Sequence, residues 1–270
     1  MGVVLEFITK KSMAKKKYKE WFDGDLAQLL ADKIITVYPK FNHQKFVADI
    51  DQGIAQLELK ARLSYFSDLF NCYLPDDYPQ AIEILISILG AENPGETGMF
   101  SEYYWTLPIA TFIEEYGLGH YSESIEAISE ITKRSTGEFA IRPYLKAETT
   151  KTLEIMQQWS LSDNFHLRRL ASEGTRPRLP WATKLTFLIE DPEPVLPILE
   201  NLKDDHARFV QKSVANHLND ILKDNYYFGM NIIYNWLDNA SKSRKWIVKH
   251  ALRKQVKDGN LEAIKIRDNL

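Results

Sequence analysis

The stretch Leu167–Trp181, LRRLASEGTRPRLPW, holds four arginines, one glutamate and one tryptophan within fifteen residues. Helical spacing over Leu167–Ser172, followed by Gly174 and Pro177, predicts a helix that ends near Glu173. A carboxylate at a helix C-terminus opposes the helix dipole, so Glu173 is a candidate for chemistry rather than for helix stability. Guanidinium groups suit phosphate oxygens, and an indole ring can bind a cationic base. Together these groups suit a positively charged lesion on nucleic acid.

Two other acids are candidates for the same site. Glu138 belongs to STGEFAIRPYL, where we predict a helix over 138–146 that Pro143 shortens or kinks. Asp220 belongs to SVANHLND, one helical turn after Asn216. Residues four apart on a helix share one face, so Asn216 and Asp220 are expected to point in the same direction.

Each acid also has an ordinary structural explanation, and the sequence does not decide between that explanation and a role in an active site. Glu138 suits a helix N-terminus, where an acid favours the dipole and pairs with a neighbouring arginine. Glu173 can form an ion pair with Arg169 one turn earlier. Asp220 can be one of the polar residues that connect the helices of a solenoid. The acids favour an active site only in combination with the motifs around them.

Three motifs resemble those of the AlkC-type DNA alkylation repair glycosylases, which are relatives of the AlkD-type enzymes. They are GEFAIRPYL at 137–145, SEGTRPRLPW at 172–181 and SVANHLNDI at 213–221, and the similarity extends from about Trp21 to Gly259. The resemblance implies HEAT-like helical repeats, with Glu138, Glu173 and Asp220 as the active-site carboxylates. By the same resemblance, Trp181 is the active-site tryptophan. The immunoglobulin-like domain that some members carry is not expected, because the sequence ends at Leu270 in a predicted helix.

Basic and aromatic side chains near these acids are candidates for contact with DNA. Guanidinium groups bind phosphate through paired hydrogen bonds, and aromatic rings stack on bases. The predicted contacts are Trp181, Trp105, Arg168, Arg169, Arg176, Arg178, Lys249 and Arg253. For Trp105 a place in the hydrophobic core is the alternative, since an aromatic residue at helical spacing is commonly buried.

The net charge of −3 conceals an uneven distribution of charge along the chain. Residues 63–132 contain no lysine or arginine, whereas Lys242–Lys257 contains seven basic residues and no acid. Such asymmetry predicts one basic face that binds DNA, although a solvated helix face produces the same pattern. The sequence has no run of about 18 apolar residues, so no membrane span is expected. Its single cysteine, Cys72, fits a reducing cytoplasm.

Helical periodicity dominates the chain, with candidate caps at Asn42 and at either Asp76 or Asp77, and a predicted loop, GAENPGETG, at 90–98. Three segments of similar pattern, LRRLA, VQKSV and VKHAL, begin at Leu167, Val210 and Val248, 43 and 38 residues apart. This spacing is typical of HEAT-type repeats, whose stacked helix pairs form a concave surface. We therefore predict an all-α, HEAT-like solenoid over 21–270 with a concave, basic DNA-binding face. An N-terminal extension over 1–20 precedes it.

The predicted function is excision of positively charged N-alkylated bases, such as 3-methyladenine, from double-stranded DNA. Such a base leaves as a neutral molecule without a general acid, while carboxylates stabilise the oxocarbenium-like sugar. The chemistry requires no metal or organic cofactor, and no lysine nucleophile motif is present. We expect a monofunctional, monomeric, cytoplasmic enzyme. The alternatives are a non-catalytic HEAT scaffold that binds DNA or a protein partner, and a binder of single strands or alkylated RNA.

Overall fold

Helix-forming segments separated by polar caps and prolines give this chain a helical fold. The computed structural model describes residues 16–98 and 100–270, and the regular elements in these ranges are α-helices and short 3₁₀ turns. The predicted all-α class is confirmed. Residues 1–15, which form most of the predicted N-terminal extension, lie outside the described part. No helix in the described ranges is long and apolar enough to cross a bilayer.

The chain divides into two units. The first contains Met1–Glu92 and Gly98–Ile131, and the second contains Asn93–Thr97 and Thr132–Leu270. The loop Asn93–Thr97 therefore belongs with the second unit, although it lies in the first half of the sequence. The single repeat domain expected over 21–270 stays a prediction.

Each helix of the first unit follows a polar residue and buries one apolar face. They are α1 (Gly24–Val37), α2 (His43–Gly53), α3 (Leu59–Tyr73), α4 (Tyr78–Ser87), α5 (Leu107–Tyr116) and α6 (Tyr121–Thr132). Asn42 and Asp77 cap α2 and α4, as predicted, because their side chains accept the backbone N–H groups of Lys45 and Gln80. Helix α3 packs against α5 in the core of this unit.

The second unit consists of helices joined by short turns. They are α7 (Ile141–Ala147), α8 (Thr149–Trp159), α9 (Phe165–Gly174), α10 (Thr186–Glu190), α11 (Leu196–Leu202), α12 (Arg208–Asp224), α13 (Tyr226–Leu237), α14 (Lys242–Ala251), α15 (Arg253–Lys257) and α16 (Leu261–Asp268). The helix predicted over 138–146 begins later, at Ile141. Pro143 therefore lies in the first turn of α7, where the missing N–H costs no helical hydrogen bond, and the helix is shorter than the predicted range, which is one of the two effects expected of Pro143.

The three repeated sequence segments lie in α9, α12 and α14, which pack side by side. Helix α12 contacts both α9 and α14. The buried aliphatic residues of these segments are Leu167, Leu170, Val210, Val214, Val248 and Leu252. Burial of each Val or Leu side chain contributes about 1.5–3 kcal/mol. This packing is the arrangement expected of a HEAT-like helical repeat, and it brings together the C-terminal halves of α9 and α12.

Candidate active site

The three predicted carboxylates meet in one buried group of the second unit. Glu138 lies in the turn before α7, Glu173 in the last turn of α9, and Asp220 in the C-terminal half of α12. Their exposed fractions are 4%, 6% and 1%. Buried charges need partners, and two arginines supply them. We call the three acids, together with Arg169 and Arg176, the carboxylate cluster.

Arg169, one turn before Glu173 on α9, connects the first two carboxylates. Its Nη1 donates hydrogen bonds to Glu138 Oε2 and, at 2.9 Å, to the Thr136 hydroxyl. That hydroxyl donates to the same Glu138 oxygen at 3.0 Å. Arg169 Nη2 lies 3.6 Å from Glu173 Oε1. The ion pair offered as the structural explanation for Glu173 is therefore present, but the same guanidinium also holds Glu138.

Arg176, in the loop after α9, connects the second and third carboxylates. Its Nη1 donates to Glu173 Oε1 at 2.7 Å, while its Nε and Nη2 lie 2.9 and 2.8 Å from Asp220 Oδ2. Ser213 Oγ on α12 donates to Glu173 Oε2 at 2.6 Å. Lys223 Nζ, one turn after Asp220, lies 2.8 Å from Asp220 Oδ1. Both carboxylates therefore have charge-assisted hydrogen bonds on each oxygen.

The cluster keeps Glu173 ionised. Burial alone would raise the pKa of the Glu173 carboxyl, but the charges of Arg169 and Arg176 and the hydrogen bond from Ser213 outweigh it and hold that pKa below its ordinary value. The cluster contains three carboxylates and two guanidinium groups. The next cation, Lys223, lies at the edge with 39% of its side chain exposed. The three carboxylates are thus held as anions by two buried guanidinium groups and one ammonium group, and fixed carboxylates of this kind can interact with a cationic ligand.

Arg142 on α7 fixes the loop that carries Arg176. Its guanidinium donates to the backbone carbonyl groups of Gly174 and Arg176, both at 3.0 Å, and to that of Thr183 at 3.1 Å. Gly174 has no room for a side chain, because a Cβ there would lie 2.8 Å from side chains of α7 and α8. Close packing at Gly174 and hydrogen bonds from one arginine to three carbonyl groups therefore set the position of Arg176.

The two predicted site tryptophans lie in different units. Trp181 lies on the loop between α9 and α10, and its side chain is 59% exposed. Its backbone φ is 64°, a left-handed conformation that bulky residues rarely adopt and that is often found at functional sites. Trp105 lies in the first unit, where it is 8% exposed and Lys33 Nζ lies 4.6 Å from its ring centroid. Contact of either residue with DNA stays a prediction.

The four arginines predicted to bind the DNA backbone each pair with a carboxylate. Two of them belong to the carboxylate cluster. Arg168 donates from Nε and Nη2 to the two carboxylate oxygens of Asp205, at 2.6 and 3.2 Å. Arg178 donates to Asp224 in the same bidentate manner, at 2.6 Å for each bond. A neutralised guanidinium attracts phosphate less strongly, but its contact with DNA stays a prediction.

A second set of cations has no carboxylate partner among residues 16–98 and 100–270. These are Arg208, Lys212, Lys249 and Arg253, which have exposed side chains on α12, α14 and α15; we call them the cationic patch. Burial lowers the pKa of His250, and the charges of Arg253, Lys212 and Arg208 lower it further. The patch is therefore a local concentration of positive charge around His250.

Lys249 and Arg253 of the cationic patch were predicted from the sequence, whereas Arg208 and Lys212 were not. The spacing contained the signal, because Arg208 and Lys212 are four residues apart and therefore share one face of α12. The guanidinium of Arg208 lies 4.0 Å from the ring centroid of Trp246, which in turn stacks on His250. This cation–π contact holds Arg208 over α14.

His217, on α12 beside the cluster, makes the stability of the fold depend on pH. Burial, followed by the charge of Arg176, lowers the pKa of His217 from 6.5 to about 3. Below pH 6.5 the unfolded chain binds a proton that the folded chain does not, so this residue makes unfolding easier as the pH falls towards 3. The slope is about 1.4 kcal/mol per pH unit.

The free energy of unfolding of the wild type should therefore fall between pH 7 and pH 5 by about 2 kcal/mol more than that of the His217→Gln variant. Urea denaturation at both pH values measures the difference. His206→Gln, at an exposed position, is the control. Equal pH dependence in the wild type and the His217 variant would contradict the assignment.

In the described part of the chain, no group of three or more His, Cys, Asp or Glu side chains is placed to hold a metal ion. The chain is an all-α helical-repeat protein with a buried cluster of carboxylates and arginines.

Comparisons with known proteins identify the family. The family model described as DNA alkylation repair enzyme matches residues 121–254, which include all three carboxylates. The solved structure of the Pseudomonas fluorescens alkylpurine DNA glycosylase AlkC, bound to DNA containing an abasic site analog, is similar with a TM-score of 0.83 and 36% identity. That match covers 92% of this chain and 67% of the other chain. The chain therefore belongs to the DNA alkylation repair family and is of the AlkC type.

A curated relative gives the same extent of similarity. The Bacillus subtilis (strain 168) uncharacterized protein YhaZ is 37% identical over 248 residues, which is 91% of this chain and 66% of that protein. This chain thus spans about two thirds of the length of both relatives.

Proposed function

We propose that this protein is a DNA glycosylase that hydrolyses the N-glycosidic bond of positively charged N-alkylated bases, such as 3-methyladenine, in double-stranded DNA. The observation that carries the proposal is the carboxylate cluster. Three buried acids outnumber the two guanidinium groups between them, and Glu173 is held in its ionised form. The membership of the AlkC-type family supports the same activity.

The cluster suits a reaction in which positive charge moves from a base to a sugar. The C1′–N bond breaks, its electron pair neutralises the cationic base, and the sugar becomes oxocarbenium-like. Fixed carboxylates stabilise this charge because they need no reorganisation during the reaction. A water oxygen then bonds to C1′ and its proton passes to a carboxylate or to solvent, which leaves an abasic site. We infer a monofunctional enzyme, since water is the nucleophile.

Trp181 is proposed to contact the lesion. Its exposed indole lies five residues after Arg176, on the loop that Arg142 holds. A cation–π contact with a positively charged base is worth about 0.5–2 kcal/mol and is lost once the base becomes neutral. The residue would therefore favour binding of the charged lesion over binding of the released base.

The test of the activity is release of methylated bases from alkylated duplex DNA. The expected result is release of 3-methyladenine, formation of abasic sites, and slower or no release from undamaged duplex or from single strands. Tight duplex binding with no base released from any lesion would instead favour the non-catalytic scaffold. Because all residues of the cluster lie in one chain, we expect activity from the monomer. A cytoplasmic location also stays a prediction.

The cationic patch is proposed to bind DNA phosphates, which gives a test of where the backbone lies. A plot of log affinity against log salt concentration has a negative slope, and each phosphate contact makes it steeper by about 0.9. In the double variant Arg208→Gln/Lys212→Gln the slope should therefore be less steep by about 2. Arg178→Gln is the control, because Asp224 already neutralises Arg178. If Arg178→Gln makes the slope less steep than the double variant does, the DNA backbone binds at the loop after α9 instead.

A further inference from the structure

The loop Asn93–Thr97 connects to both helices that carry the carboxylate cluster. The carbonyl oxygen of Asn93 accepts a hydrogen bond from His166 Nε2 of α9 at 3.1 Å. The carboxylate of Glu96 accepts the backbone N–H of Phe209, in the first turn of α12, at 2.7 Å. One short loop, remote in sequence, thus contacts the N-terminal turns of α9 and α12.

Glu96 replaces the cap that α12 lacks. The N-cap residue of α12 is Ala207, whose side chain cannot accept a hydrogen bond. An acid at a helix N-terminus binds a free N–H group and also interacts favourably with the helix dipole. Glu96 provides both effects, although 113 residues separate it from Phe209 in sequence. Helix α12 carries Asp220 of the cluster and Ser213, which donates to Glu173, so the position of α12 determines both of these contacts.

The loop itself has a fixed shape. Asn93 Nδ2 donates to the Thr97 hydroxyl at 2.8 Å and to the carbonyl of Arg134 at 3.1 Å, while Asn93 Oδ1 accepts the N–H of Gly95 at 2.8 Å. The backbone N–H of Asn93 donates to the carbonyl of Lys133 at 3.0 Å. These bonds anchor the loop to the chain that leads to Glu138. Because its own shape is fixed, the loop can hold the N-terminal turns of α9 and α12 in place.

The ring of Phe209 contacts Arg169 of the carboxylate cluster. It lies 5.0 Å from the guanidinium carbon of Arg169, and its centroid is 5.8 Å from that of the His166 ring. Arg169 is the residue that holds Glu138 and helps to keep Glu173 ionised. A guanidinium packed on an aromatic face loses freedom to rotate away from its carboxylates.

We propose that Glu96 and Phe209 are positioning residues of the active site, which act by fixing Arg169 and the start of α12. For catalysis this rests on the proposed function. Loss of the Glu96 carboxylate would let the first turn of α12 fray, loosen the Phe209 ring and free Arg169. Small displacements of groups that stabilise a transition state reduce rate far more than they reduce binding.

The experiment compares Glu96→Ala with Glu96→Gln, which retains an acceptor oxygen, and with Asp77→Ala. Asp77 caps α4 in the first unit, so its variant loses a comparable cap away from the cluster. The expected single-turnover rate of base release falls about tenfold in Glu96→Ala, with the half-saturating enzyme concentration unchanged. Glu96→Gln restores most of the rate, and Asp77→Ala stays at the wild-type rate.

A second measurement does not depend on activity. Nuclear magnetic resonance of the Arg169 Nε–Hε group should show restricted motion in the wild type and in Glu96→Gln, and increased motion in Glu96→Ala and in Phe209→Leu. Phe165→Leu is the control for Phe209, since the Phe165 ring contacts His166. Unchanged Arg169 motion in Glu96→Ala overturns the proposal, as does freed Arg169 with an unchanged rate. A wild type that releases no base overturns only the proposed function, and the resonance measurement then decides the positioning.

Discussion

The Glu173→Gln variant will release 3-methyladenine from alkylated duplex DNA about 10²–10³-fold more slowly than the wild type. Glutamine keeps the shape of the side chain and retains an oxygen that can accept from Ser213 or Arg176. It loses the negative charge, and that charge is what stabilises the oxocarbenium-like sugar. The measurement is base release under single-turnover conditions with the variant in excess. Affinity for intact duplex should change little, because the Glu173 side chain is buried.

The matched control is Asp205→Asn. Asp205 is also a buried carboxylate in a bidentate pair with an arginine, and its side chain is 5% exposed, but it lies outside the carboxylate cluster. Its variant should release base at close to the wild-type rate. The rate of base release should also fall in Asp220→Asn. In the double variant the rate should fall by less than the product of the two single effects, because both acids stabilise the same positive charge. If Glu173→Gln and Asp205→Asn are equally active, the catalytic assignment is wrong.

The acids of the cluster and the ion pair of Glu173 with Arg169 could be found from sequence, but the contacts of Arg169 with Glu138 and of Arg176 with Asp220 could not. Glu138, Glu173 and Asp220 each lie in a motif long enough to resemble those of a known family. Arg169 and Arg176 were predicted to bind phosphate because arginine in a loop or on a helix face suits phosphate equally well. Whether a guanidinium meets a carboxylate of the same chain or an external anion depends on the packing of α9 against α12, which local spacing does not encode.

The helices show the same limit. Periodicity and local caps predicted α2 and α4 together with Asn42 and Asp77, since those signals lie within a few residues of one another. The cap of α12 could not be predicted, because Glu96 provides it from a loop 113 residues away. The start of α7 was placed too early for a similar reason. Glu138 reads as a helix N-terminal acid, yet Arg169 and Thr136 hold it in the preceding turn.

Burial of the carboxylate cluster imposes a cost on folding, and its two arginines make the largest contribution to offsetting that cost. Desolvating three acids is unfavourable by several kcal/mol for each, and the attraction to Arg169 and Arg176 compensates only while the geometry is intact. A buried polar group retained at such cost is typical of a functional site rather than of a stabilising one. The free energy of unfolding should therefore respond strongly to loss of a bridging arginine.

Replacing Arg176 by methionine is expected to lower the free energy of unfolding at pH 7 by about 3–5 kcal/mol. The variant leaves Glu173 and Asp220 buried without the guanidinium that joins them. Guanidinium chloride denaturation measures the loss. Arg178→Met is the control, because Arg178 pairs with Asp224 at a more exposed site, where an ion pair contributes about 0–1 kcal/mol.

The pH dependence of this loss of unfolding free energy distinguishes two causes, namely a buried charge left without its partner and the loss of side-chain packing. In the wild type the pKa of Glu173 lies below its ordinary value, in part because of Arg176. Without that charge, burial raises the pKa of Glu173 in the folded variant towards or above its value in the unfolded chain. The folded variant then binds a proton more readily as the pH falls, so the stability gap to wild type should narrow between pH 7 and pH 5. A gap that stays constant over this range, or one no larger than that of Arg178→Met, would mean that Arg176 contributes packing and not charge compensation.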